Sequence, residues 1–127
     1  MAGVTYDTGA LVAAQRNDRA MWALHAGYLE LEVVPTVPAP VLAEAWRGGP
    51  QSAPVSRLLA MCDVEPMLED HARRVGELAG RARHDDVVEV TVVEGAIRRR
   101  DAIVTADGRD IRRIAKAGGA QIALVEL

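Results

Sequence analysis

At 127 residues, half of them apolar, the chain is sized for one domain with its own core, needing neither disulfides nor a metal to hold it together. Cys62 is the only cysteine, which excludes an intrachain disulfide and suits a reducing compartment. The net charge of -3 excludes a bulk basic footprint for nucleic acid, yet fourteen of the fifteen basic residues are arginine, whose planar fork suits phosphate; coding bias explains the same composition.

Met1 to Ala14 carries no basic leader before an apolar core, and no apolar run approaches the ~20 residues that cross a bilayer. The reading is a soluble, cytoplasmic protein with no membrane partner. Val4 to Asp7 is a short apolar run ending in an acid, and Gly9 to Gln15 reads as a short helix. Asp18 to Leu29 places Met21, Leu24, His25 and Tyr28 at helical spacing, with Asp18 as N-cap. Val33 to Val37 is the second strand. Pro38 and Pro40 bracket the turn into a helix over Val41 to Trp46, broken at Gly48-Gly49-Pro50. Ser52 to Met61 is a further helix.

Val64-Glu65-Pro66 forms a short strand whose proline places it at a sheet edge. Helices over Glu69 to Ala79 and Asp86 to Arg99 follow, separated by a polar link ending at His84. Ala102 to Thr105 is the clearest strand, then come a helix from Asp110 to Ala117, a stop at Gly118-Gly119, and a last strand over Gln121 to Val125. Strands alternating with helices predict an α/β, three-layer sandwich: a central, mainly parallel sheet flanked by helices, spanning residues 1–127 as a single domain.

Ligands of open parallel sheets gather outside the carboxyl ends of the strands. Asp7 ends the first strand and Asp107 follows the Ala102–Thr105 strand, so both belong at that edge. Glu44 lies on the helix after the second strand. Asp86 and Glu89 are three residues apart and share one helical face. Carboxylates converging on one rim repel unless a cation neutralises them, and hard oxygen donors select Mg²⁺ or Mn²⁺. Such a centre suits phosphodiester hydrolysis. Each acid also has an ordinary explanation. Asp7 or Thr8 can cap the first helix, Asp86 and Glu89 have capping-box spacing, Asp107 can cap the last helix, and Glu44 can be solvated.

With these blocks in order, the sequence resembles the PIN-domain family and its VapC-type toxins. The residues that carry the likeness are Tyr6-Asp7-Thr8-Gly9-Ala10-Leu11-Val12, Pro40 to Trp46 around Glu44, Asp86-Val87-Val88-Glu89-Val90, and Ile103-Val104-Thr105-Ala106-Asp107 followed by Arg109-Asp110-Ile111. The resemblance implies a PIN-like fold and a Mg²⁺- or Mn²⁺-dependent endoribonuclease, the toxin of a toxin–antitoxin pair, often homodimeric and held inactive by its antitoxin. It carries Asp7, Glu44 and Asp107 onto the catalytic metal-binding acids, with Thr105 as a hydrogen-bonding support. The remaining family acid, usually an aspartate followed by alanine, falls on Glu89 followed by Val90, with Asp86 as a further candidate ligand. The longer side chain can displace a ligand by roughly 1 Å, which opens an alternative: a PIN-like scaffold that binds RNA or a protein partner without cleaving.

Asp7-Thr8-Gly9 is also the aspartic-protease tripeptide, but here it leads into helices. A receiver domain needs a lysine after its last strand, whereas Lys116 precedes it. His25, His71 and His84 lack metal-site spacing, and His25 and Cys62 read as packed residues. Arg98-Arg99-Arg100 reads as a solvated helix end, with RNA contact as the alternative, while Arg16, Arg109 and Arg112 lie nearer the rim and suit phosphate better. Trp22 and Trp46 belong to core or interface.

Overall fold

The computed structural model describes residues 3–127; Met1 and Ala2, the first residues of the stretch read for a leader, lie outside the described residues. The first apolar run forms β1 (Val4–Tyr6), all three residues buried. It pairs in parallel with β2 (Thr36–Pro38) on one side and with β4 (Ala102–Thr105) on the other. In the second pairing Val4, Thr5 and Tyr6 face Ala102, Ile103 and Val104. β3 (Asp63–Glu65) joins beside β2 and β5 (Leu124–Glu126) beside β4, so the sheet runs β3-β2-β1-β4-β5 with every pairing parallel. The third strand takes the edge that its following proline calls for.

Among the described residues seven helices cover this sheet: α1 (Thr8–Gln15), α2 (Arg19–Glu30), α3 (Ala39–Ala45), α4 (Ala53–Leu59), α5 (Glu69–Ala82), α6 (Val87–Arg99) and α7 (Gly108–Ala117). Right-handed crossovers put α1 to α4 on one face and α5 to α7 on the other. Consistently, α1 packs on α2, α3 and α4, and α5, α6 and α7 pack on one another. This is the expected three-layer α/β sandwich. Its core holds fully buried Tyr6, Leu11, Met21, Leu58, Ile103, Ile111 and Ile114.

Several boundaries differ for local reasons. The second strand covers Thr36–Pro38 rather than Val33 to Val37, because the Val33 N–H is taken by the Tyr28 carbonyl at 2.9 Å in closing α2, and Val34 is exposed. The helix after it begins at Ala39, with Pro40 in its first turn, where the missing N–H costs nothing. A 3-10 turn over Pro50–Ser52 precedes α4, and β5 starts at Leu124, three residues later than expected.

His25 is packed, 3% exposed, with Nδ1 2.8 Å from the Tyr6 hydroxyl and Trp22 edge-on to its ring. The half-buried Cys62 thiol donates to the Leu58 carbonyl, and burial pushes its pKa up to about 12, so it is not a nucleophile at neutral pH. Trp22 is half-buried, and Trp46 stands 40% exposed. Arg98 and Arg100 are exposed at the end of α6, as expected of a solvated helix end, but two of the three arginines of the run are held in ion pairs. Arg98 bridges Glu65 and Glu94, and Arg99 bridges Glu65 and Asp101; Arg100, in the left-handed cap of α6, has no ion pair among the described residues. These pairs tie α6 to β3 and to the start of β4, and they occupy the guanidinium groups that a phosphate would need.

Candidate metal centre

The chain leaves β1 toward β2 and β3, and leaves β4 toward β5 on the opposite side, so the strand order reverses between β1 and β4. The crevice outside the carboxyl ends of those strands is the switch point where open α/β sheets bind ligands. Asp7 stands at the end of β1, its N–H donating to the Val104 carbonyl at 3.1 Å. Its Oδ1 accepts from the Ala10 N–H at 3.0 Å and so caps α1. Burial of this carboxyl, 6% exposed, pushes its pKa up, while the Thr105 hydroxyl and the N–H groups of Ala10, Ala106 and Gly9 oppose the rise. Gly9 is required by closeness: a Cβ there would stand 2.5 Å from the Ala106 Cβ and 3.2 Å from its N. The first turn of α1 therefore packs directly on the loop leaving β4.

That loop is set by Thr105, fully buried, whose Oγ1 accepts from the Asp107 N–H at 2.8 Å. Thr105 thereby links the two strand-end acids, supporting Asp7 on one side and shaping the Asp107 turn on the other. Asp107 occupies the N-cap position of α7 but makes no side-chain capping bond, and it is exposed. Its carboxylate is left free of the capping role that the sequence allowed. Asp110 follows one turn later on α7, half-buried.

α6 runs back toward the start of β4, so its N-terminus lies at the same rim. Asp86 caps it: Oδ1 accepts from Val88 N at 3.0 Å and Glu89 N at 3.2 Å. Glu89 then points into the rim, where its Oε1 lies 2.7 Å from the Nε2 of His84. Burial pushes the Glu89 carboxyl up to about 7, with Asp107, Asp110 and Asp86 adding to the rise and the His84 hydrogen bond opposing it. The ligand atoms of His84, Glu89 and Asp110 all lie within 4.8 Å of one another.

The structure thus gathers Glu89, Asp86 and Asp107 into one electrostatic neighbourhood and puts Asp7 at the neighbouring strand end. Glu44 is exposed, near the C-terminal end of α3, and makes no hydrogen bond or ion pair among the described residues; α3 does pack on α6. Arg109 is exposed in the first turn of α7 and without an ion pair among the described residues. Arg112 is held by Glu126 at 2.5 Å, and Arg16 sits at the far end of α1 from Asp7. Sequence reasoning missed His84 and the approach of Asp110. The available signals were the place of His84 two residues before the Asp86 cap and the spacing of Asp110, one turn beyond Asp107.

A parallel α/β domain with carboxylates converging at its switch point is the class that this fold and rim define. No family model matches the sequence, and no curated protein matches it. Solved structures do match. A chain of the VapBC2 structure from Rickettsia felis, bound to a promoter DNA fragment, gives a TM-score of 0.77 at 13% identity over 98% of both chains. A toxin–antitoxin complex from Klebsiella pneumoniae gives 0.67 at 16% identity, over 85% of this chain and 89% of that one. PAE2754 from Pyrobaculum aerophilum gives 0.67 at 13%, over 97% and 83%. Likeness at these identities establishes the fold alone, the PIN-like three-layer α/β sandwich.

Proposed function

We propose that this protein is a Mg²⁺- or Mn²⁺-dependent endoribonuclease and the toxin component of a toxin–antitoxin pair. The observation that carries the reading is the gathering of the Glu89 and Asp110 carboxylates, from α6 and α7, within 4.8 Å of each other at the rim where Asp7 ends β1; burial first, and then Asp107, Asp110 and Asp86, raise the Glu89 carboxyl to about 7. The donor set fits the ion: hard carboxylate oxygens on three separate elements, one of them buried. Asp7, Glu89 and Asp107 are the proposed holders, with Asp110 added to them and the exposed Glu44 of α3 as a further candidate; Asp86 serves chiefly as the α6 cap. When bound, the ion supplies an acidified water and charge stabilisation at the scissile phosphate.

The chain's own contributions follow from its geometry. Asp7 is held rigid by backbone amides, and Thr105 fixes the Asp107 turn against it. Arg109 is free to meet a substrate phosphate, and the N-termini of α6 and α7 turn their amide ends to the same rim, where an anion is favoured. The toxin–antitoxin structures that share the fold support a cognate antitoxin as partner. Exposed Leu31, Val34, Trp46 and Val64 are apolar surface that such a partner, or a second copy in a homodimer, would cover. No helix among the described residues is long and apolar enough to cross a membrane, which agrees with the proposed cytoplasmic location.

A second reading, a PIN-like scaffold that binds without cutting, is favoured by one feature: the Glu89 carboxylate is engaged by His84. Incubation of a mixed RNA pool with Mg²⁺ or Mn²⁺ separates the two. The nuclease predicts cleavage lost both with EDTA and in Asp7→Asn. A folded wild type that cuts nothing with either ion, yet binds RNA equally well as Asp7→Asn, is the scaffold.

A further inference from the structure

Resting on the metal-centre reading above, we propose that Arg113 and His84 form a relay that positions Glu89, fixing one of its oxygens so that the other is presented to the cation. The direction of the relay follows from donor chemistry. An Arg113 guanidinium nitrogen lies 2.5 Å from His84 Nδ1, and a guanidinium can only donate. Nδ1 is therefore the accepting nitrogen, and in the neutral ring the proton sits on Nε2. That N–H points at Glu89 Oε1, 2.7 Å away, and donates to it. His84 is thus a positioning residue: neither ring nitrogen has a lone pair free for a metal, although one of them lies within 4.8 Å of donor oxygens of Glu89 and Asp110.

The surroundings make the relay specific. Arg113 is also anchored on the Ala82 carbonyl at 3.3 Å, at the end of α5, and lies 4.0 Å from Asp110. The His84 side chain is only 10% exposed and that of Glu89 16%, so water competes poorly for their bond. Glu89 Oε2 has no hydrogen bond among the described residues, leaving it as the free donor atom. A glutamate has one more rotatable bond than an aspartate, and its carboxylate wanders unless something holds it. The relay supplies that restraint and makes Glu89 a one-oxygen ligand, which suits a small octahedral ion better than a large one that accepts bidentate carboxylates.

Two measurements on the full chain test this. Long-range proton–nitrogen spectra of protein labelled with ¹⁵N-histidine read the tautomer of His84, with His25 and His71 assigned by substitution. The expected result is a His84 ring with its proton on Nε2, kept on adding Mg²⁺ and converted to a tautomer mixture in Arg113→Ala. Calorimetric titration with Mn²⁺ is expected to show binding weakened about tenfold or more in His84→Leu and largely restored in His84→Gln, whose amide N–H can still donate to Glu89. Nitrogen coupling from His84 in the Mn²⁺ paramagnetic resonance spectrum would make it a ligand and overturn the relay. Equal weakening by Leu and Gln, or no effect of either, would also overturn it. Absence of Mn²⁺ binding by wild type with the Nε2–H tautomer intact overturns the metal-centre reading, and the role of the relay with it. A proton found on Nδ1 overturns the relay alone.

Discussion

Replacing Glu89 by Gln probes the rim most directly, because it removes one charge while keeping an oxygen that His84 can donate to. In the folded metal-free chain the Glu89 carboxyl rises from 4.5 to about 7. A raised carboxyl contributes its stability fully below pH 4.5, loses it progressively as pH climbs toward about 7, and has lost all of it above. A rise of that size corresponds to at most about 3 kcal/mol, and solvent screening at a partly open rim brings it to about 1–2 kcal/mol. The metal-free variant is therefore expected to match wild type at about pH 5 and to exceed it by about 1 kcal/mol at about pH 8. For a domain of this length that is about 3–5 °C in Tm. Saturating Mn²⁺ is expected to raise wild-type stability at the higher pH and the variant's far less, since only the ionised carboxylate rewards the ion. Urea unfolding at the two pH values, with EDTA and with Mn²⁺, reads all four numbers. A variant less stable than wild type at the higher pH, or equally stabilised by Mn²⁺, would refute the reasoning.

Three further outcomes follow from the same geometry. Asp7→Asn is expected to abolish metal-dependent cleavage without unfolding the chain, because asparagine still caps α1 through its side-chain oxygen; circular dichroism beside the cleavage assay checks both halves. Gly9→Ala puts a methyl group against Ala106 and is expected to cost about 1–3 kcal/mol in urea unfolding and to weaken Mn²⁺ binding, by spreading the Asp7 and Asp107 loops. An unchanged midpoint would mean that the contact relaxes freely. Tyr6→Phe leaves His25 Nδ1 without its buried partner and is expected to lose about 1–2 kcal/mol in urea unfolding.

The likeness to solved structures and the site geometry divide the functional question cleanly. The fold makes the switch point available, but many activities share any one fold, so the chemistry rests on the particular carboxylates that reach the rim. Here those are Glu89, Asp107 and Asp110, with Asp7 at the end of β1, and Arg109, without an ion pair among the described residues, lies in the first turn of α7 with Asp110. The rim is anionic before any cation binds, so RNA would meet repulsion there until the ion is in place. Under the proposed function, metal binding first and RNA second is the order that this electrostatic arrangement favours.

What the amino-acid order determined by itself is local. Alternating β-branched and amphipathic runs predicted β1, β4 and the α/β layering, and Asp18 and Asp86 announced their helices, because caps and periodicity depend on residues within one or two turns. The placing of Asp7 and Asp107 at one edge was also legible, since parallel internal strands end on the same side. Tertiary structure alone decided the rest. It brought His84 from the α5–α6 link against Glu89, and Asp110 from α7 against both, because that meeting depends on how α5, α6 and α7 dock on one another. It also drew Arg98 and Arg99 into ion pairs with Glu65, 33 and 34 positions earlier in the chain, where sequence proximity showed only a basic run. Spacing along the chain records which way a side chain faces on its own element, while its partners across elements are set by the packing of the whole core.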